Sequence, residues 1–159
     1  MLNIITNPHP TLRKKAVEID KSVIPEMQKF FDDMIAAMNA NNGLGLAANQ
    51  VDVPKRVFVM NTKDGPIAVI NPKISKKSLL KEVDEEGCLS IPGVFGLVRR
   101  HKRLTLTGLN RQGKKITIEA SGLFARVVQH EVDHLDGVLF TDRTKKITKG
   151  ETKNVQAGI

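Results

Sequence analysis

The stretch Gln129-His130-Glu131-Val132-Asp133-His134 constrains this chain more than any other part of it. The residues around it, 122–136, have helical periodicity, with Ser121 as an N-cap and Gly137 as a C-terminal stop. On a helix His130 and His134 are four apart, so they project from one face a turn above each other. That is the geometry two imidazoles need to share a metal ion. Glu131, beside the first histidine, reaches a water on that ion without being a ligand itself. The plainer alternative is a buried helix whose two histidines are satisfied by hydrogen bonds.

Two histidines do not make a stable catalytic site, so a third ligand has to arrive from elsewhere. Downstream of His134 there is no histidine, and the only glutamate is Glu151. Upstream lies Glu86-Gly87-Cys88-Leu89-Ser90, which holds the one cysteine of the chain. A lone cysteine is often just a small buried hydrophobe. Here Gly87 permits an unusual backbone approach, and Pro92-Gly93 ends the segment in a turn. Cys88, His130 and His134 together would form a soft site of three protein ligands with one position open to water, and an ion there would deprotonate the thiol. With one cysteine no intrachain disulfide forms, which fits a reducing compartment.

The other elements point to a single α+β domain, with antiparallel or mixed sheets packed around the metal-binding helix. An N-terminal helix is expected over residues 25–41, where Met27, Phe30, Phe31, Met34, Ile35 and Met38 keep the spacing of a buried stripe. Pro25 suits its first turn and Asn41-Asn42-Gly43 its end. Strands are expected at residues 56–60, 67–74, 78–83, 104–109 and 115–119, punctuated by Asp64-Gly65, Pro54, Pro66 and Pro72. Residues 1–143 are read as the catalytic domain, and residues 144–159 as a polar, basic tail, loosely ordered or partly helical.

No run of 18 apolar residues is present, and the opening MLNIITNPHP lacks a basic region followed by a long apolar core. No membrane partner and a cytoplasmic location are therefore expected. The formal net charge of +8 admits affinity for an anionic partner such as RNA or a ribosome surface. A solvated lysine-rich surface is the simpler account. Tyr and Trp are absent, the six Phe form no stacking platform, and Lys and Arg are dispersed along the chain. No sequence-specific nucleic-acid recognition is expected.

Three blocks resemble the signature motifs of peptide deformylases: residues 43–50 (GLGLAANQ), 86–90 (EGCLS) and 129–137 (QHEVDHLDG). The opening Asn7-Pro8-His9-Pro10-Thr11-Leu12-Arg13 and Ile91-Pro92-Gly93-Val94 are similar to that family as well, so the resemblance runs over about residues 4–143 in the family's order and spacing. It implies removal of the formyl group from the N-terminal formyl-methionine of newly made polypeptides, with release of formate. Such nascent peptides would be the partners, alongside transient ribosome contact. The resemblance further implies Glu131 as the proton carrier and Fe(II) as the native ion, with Zn, Ni or Co in purified protein. The backbone N–H of Leu89 and the amide of Gln50 would stabilise the oxyanion, and Gly45 would let backbone bond the peptide. Leu44, Leu123 and Val127 are candidates for an apolar pocket that takes the methionine side chain, with Arg126 at its rim. Glu86 is a candidate to hold Arg100 and so fix the cysteine loop. The long amphipathic C-terminal helix that many bacterial members carry has no clear counterpart here. Two other readings stay open: a zincin-like protease with a different third ligand, and a non-enzymatic protein with a structural metal or none.

Overall fold

Strand β2 (Val57–Thr62) is apolar on both faces and organises the molecule. In the computed structural model, which describes residues 1–150, its side chains alternate between two cores. Val57 and Val59 face the helix α1 (Gln28–Ala40), joining Phe31, Met34 and Met38. Phe58 and Met60 face the helix α2 (Gly122–Leu135), joining Ala125, Val128 and Leu135. A sheet sandwiched this way needs continuous apolar strands at its centre, which explains why β2 does not alternate with polar residues.

Five strands form that sheet in the order β1-β2-β3-β6-β7, all antiparallel: β1 (Gly45–Ala47), β3 (Gly65–Ser75), β6 (Arg103–Leu109) and β7 (Lys115–Ser121) around β2. A second sheet has the order β4-β5-β8, from β4 (Lys81–Cys88), β5 (Ile91–His101) and β8 (Lys146–Lys149). A third core, Ile91, Val94 and Val98 with Leu139 and Phe140, packs the short helix α3 (Phe140–Arg143) against β5. Helix α2 packs against strands of both sheets, so the architecture is the expected α+β arrangement around a central helix. No helix among the described residues is long and apolar enough to cross a membrane.

Several expectations need correction. The N-terminal helix begins later than expected: Pro25 lies inside a 3₁₀ segment, Lys21–Met27, and α-helical geometry starts at Gln28. Ser121 makes no side-chain cap, and α2 instead starts at Gly122 in the left-handed region (φ 58°). The strand expected over residues 78–83 starts at Lys81 and continues to Cys88, because it pairs along its whole length with β5. Strand β5 itself was not anticipated, since Pro92, Gly93 and Gly96 imitate a loop. Residues 146–149, assigned to the polar tail, form β8, with Ile147 packed on the third core. The end of that tail, residues 151–159, lies outside the described residues.

Helix α2 ends where the sequence placed its stop. The N–H of Gly137 bonds to the carbonyl of His134 (3.1 Å) and that of Val138 to the carbonyl of Asp133 (2.9 Å), with Gly137 at φ 76°. This paired closure terminates the helix one residue after its second histidine, with Asp136 as the C-cap.

Candidate metal centre

The i, i+4 spacing on α2 places His130 Nε2 and His134 Nε2 3.2 Å apart. Cys88 Sγ is 3.2 Å from His134 Nε2, and the three donor atoms all lie within 4.8 Å of one another. The cysteine is aimed there by an irregularity in the β4–β5 hairpin. Gly87 pairs with Phe95, but Cys88 pairs with Ile91, so Pro92, Gly93 and Val94 bulge out of β5 and the ladder turns Cys88 toward α2. Gly93 takes φ 76° within that bulge. At Gly87 a Cβ would sit 2.5 Å from the ring of Phe95, so a larger residue there would have to push that ring aside.

His130 is oriented from behind. Its Nδ1–H donates to Glu86 Oε1 (2.9 Å), which leaves Nε2 facing Cys88 and His134. Glu86 is buried and also accepts from Arg100 Nε and Nη2 (both 2.9 Å) and from Arg126 Nη1 (2.8 Å). Burial alone would raise the Glu86 pKa, but the hydrogen bonds from Arg100 and His130 hold it well below the usual carboxylate range. Arg100 reaches on to Asp133 Oδ2 (2.6 Å), which Arg143 also binds. Burial pulls both imidazoles down. Bonds to Cys88 and Glu86 reverse this for His130 and hold it well above its ordinary value, whereas His134 stays well below and neutral.

These residues fit a divalent ion. Two nitrogen ligands of a tetrahedral ion stand roughly 3.3 Å apart, close to the observed His130–His134 spacing. One thiolate and two imidazoles suit Zn, Fe(II), Co or Ni by softness. Among the described residues no carboxylate or further histidine from beyond His134 enters the cluster. A zincin-type third ligand is therefore not what these residues assemble.

Glu131 is fully enclosed, with Oε2 lacking any protein partner. Burial pushes its carboxyl up to about 7, reinforced by Glu86 and Asp133 and opposed by His130 and Arg100. Gln50 is locked by its own turn: Oε1 accepts from the Ala47 N–H (2.9 Å), so the amide Nε2 faces Cys88 Sγ (3.6 Å) and Ser90 Oγ (3.2 Å).

A cavity of about 470 Å³ opens over this cluster. Leu44, Gly45, Gln50, Cys88, Leu89, Leu123, Val127, His130 and Glu131, each singled out from sequence, all border it. His134 completes the ligand set beneath. Leu44 and Leu123 stand at the mouth, 54% and 62% exposed, rather than at the floor. Arg126, expected at the rim, does border the cavity, but it is buried and its guanidinium is engaged by Glu86 and by the carbonyls of Val98 and Glu82. Sequence reasoning paired Glu86 with Arg100, as observed, but missed its bond to His130. It also missed Phe95 and Pro92 on the cavity wall, for which the apolar alternation of β5 around its bulge was the available signal.

Residues 1–150 match the sequence model of the family described as polypeptide deformylase. A peptide deformylase of Desulfitobacterium hafniense is 46% identical over 138 residues, covering 87% of this chain and 91% of that protein. The crystal structure of peptide deformylase from Thermotoga maritima superposes with a TM-score of 0.87 at 42% identity, covering 91% of this chain and 98% of that one. A class I type b peptide deformylase from Acinetobacter baumannii, bound to Met-Ala-Ser, superposes with a TM-score of 0.85 at 32% identity, covering 89% and 97%.

Proposed function

The chain belongs to the polypeptide deformylase family, and on that premise we propose that it removes the N-formyl group from formyl-methionine at the start of new polypeptides, with Glu131 as the proton carrier. Cys88, His130 and His134 would hold the ion. When bound, it supplies a Lewis acid for the formyl carbonyl and lowers the pKa of an attacking water. We infer Fe(II) as the working ion from the family resemblance; the same donors also accept Zn, Ni and Co.

The chain's own residues carry the rest. Glu131 takes the proton of the attacking water on its unpartnered oxygen and passes it to the amine as the formyl C–N bond breaks, so formate leaves with a free N-terminus. A carboxyl raised to about 7 is suited to both halves of that transfer near neutral pH. The amide N–H of Gln50, held toward Cys88, and the backbone N–H of Leu89 donate to the oxyanion as it forms. Leu44, Leu123 and Val127 give the cavity apolar walls for a methionine side chain, and the backbone of Gly45 bonds the peptide. The Acinetobacter relative binds Met-Ala-Ser, a peptide that begins with methionine, which supports a methionine-led substrate here.

The observation that carries the proposal is the buried Glu131 carboxylate, its Oε2 without a partner, on the wall of the cavity that Cys88 and His130 also border. Formate release from a formyl-Met tripeptide tests it, using Fe(II)-loaded protein prepared without oxygen, beside Glu131→Ala. Release by the parent chain, lost in the variant while the ion stays bound, is the expected result. No release from protein carrying one ion per chain would overturn it.

A further inference from the structure

Helix α2 has a second working flank. At about 100° per residue, Leu123, Val127, His130 and Glu131 share the side facing the metal cavity, and Gln129, Val132, Asp133 and Asp136 point nearly opposite. Those four line a separate hollow of about 540 Å³ on the far side of the helix. Seven cations, Arg56, Lys73, Lys77, Lys81, Arg99, Arg100 and Arg143, border it, against two acids, Asp133 and Asp136.

Both acids are already engaged. Asp136 pairs with Arg56 (2.9 Å), and Asp133 with Arg100 and Arg143 (both 2.6 Å). Lys73, Lys77, Lys81 and Arg99 are exposed and form no ion pair among the described residues. They come from three strands or their ends: Lys73 from β3, Lys77 from the β3–β4 connection, Lys81 from the start of β4 and Arg99 from β5. Dispersed in sequence, they are gathered by the fold around one concavity. Four unneutralised cations around a hollow concentrate positive potential where a polyanion can enter.

We propose that this groove binds the phosphodiester backbone of structured RNA without reading its sequence. Phosphates spaced along a ridge-like backbone match cations set around a hollow, and the absence of Tyr and Trp fits backbone rather than base recognition. An anionic bilayer is the competing occupant, because Leu79 and Leu80 are exposed (99% and 55%) between Lys77 and Lys81. A flat surface meets that loop but does not enter a hollow walled by α2 and both sheets. Since the groove and the metal cavity lie on opposite flanks of α2, the protein can hold RNA and take a peptide at the same time.

The test measures binding of a fluorescent RNA hairpin across a KCl series, with full-length protein. A variant carrying Lys73→Gln, Lys77→Gln, Lys81→Gln and Arg99→Gln is compared with a control carrying Lys21→Gln, Lys63→Gln, Lys114→Gln and Lys115→Gln. The control loses the same charge from exposed positions outside the groove. Loss of four phosphate contacts should flatten the slope of log Kd against log salt by about 3 in the groove variant, with little change in the control. Formate release from a formylated tripeptide, run in parallel, should be equal in all three proteins, which separates this result from the fate of the deformylase assignment. Equal losses in both variants would overturn the proposal. So would absence of RNA binding at physiological ionic strength, or binding to anionic phospholipid vesicles in its place.

Discussion

A Cβ built on Gly45 would lie 2.8 Å from Glu131 Oε1 and 2.9 Å from its Cγ. Strand β1 therefore presses bare backbone against the carboxylate proposed to carry the proton, and the glycine sets where that carboxylate stands. Gly45→Ala should displace Glu131 and leave Cys88, His130 and His134 untouched. We expect kcat to fall about 100-fold, as for a misplacement of roughly 1 Å, with one ion per chain retained. Steady-state kinetics with metal analysis checks this; unchanged kcat would show that Glu131 has room to adjust.

Glu86 ties the metal cluster to the fold through His130, Arg100 and Arg126. Glu86→Gln keeps the shape but removes the charge that pairs two buried guanidinium groups. Metal affinity should drop about 10- to 100-fold, because an amide oxygen holds the His130 imidazole more weakly than a carboxylate does. Stability should fall by about 3–5 kcal/mol, the usual cost of leaving buried charge uncompensated. Competition with a chelator and urea unfolding measure the two separately. A loss of stability with no loss of affinity would confine Glu86 to a structural role.

The pH dependence of stability follows from the same carboxylate. Its pKa in the folded chain is depressed below the ordinary 4.5, so the folded state binds its proton less readily than the unfolded state. The stability it contributes is fully present above the ordinary value and is lost as pH falls below 4.5 toward the folded value. Urea midpoints of the parent and Glu86→Gln should differ most near neutral pH and converge in acid. A constant gap across that range would show that the ionised carboxylate is not what stabilises the fold.

How much of this was legible in the sequence depended on how local each cause is. Helix α2 was read to within a residue of its ends, because the His130–His134 spacing and Gly137 are local signals. Cys88 was legible as the third member of the His130–His134 cluster because the alternatives downstream were so few. Strand β5 was not, since Pro92 and Gly93 belong to a bulge whose purpose, turning Cys88 toward α2, exists only in the folded hairpin. The bond from Glu86 to His130 spans 44 positions and leaves no periodic trace. The basic groove was invisible for the same reason: Lys73, Lys81, Arg99 and Arg143 become neighbours only when two sheets close on one helix.

Gly137 and Gly113 share φ 76°, yet they should respond differently to alanine. A Cβ on Gly113 meets only Lys21 Cε and Cγ at 3.4 and 3.6 Å and Ile24 Cδ1 at 3.8 Å, which are contacts that side chains can relax. On Gly137 it would stand 2.6 Å from the carbonyl oxygen of Arg13 and 2.8 Å from the carbonyl carbon, both backbone atoms. That backbone is pinned to the helix end, because the Ala16 N–H bonds to the Leu135 carbonyl (2.7 Å) and Arg13 Nη1 to the Gly137 carbonyl (3.2 Å). Gly113→Ala should cost about 1 kcal/mol, the conformational penalty alone. Gly137→Ala should cost about 3 kcal/mol or more, since the N-terminal segment or the helix end has to move. Urea unfolding of the two variants decides it: similar losses would mean that residues 13–16 shift freely and do not brace the end of helix α2.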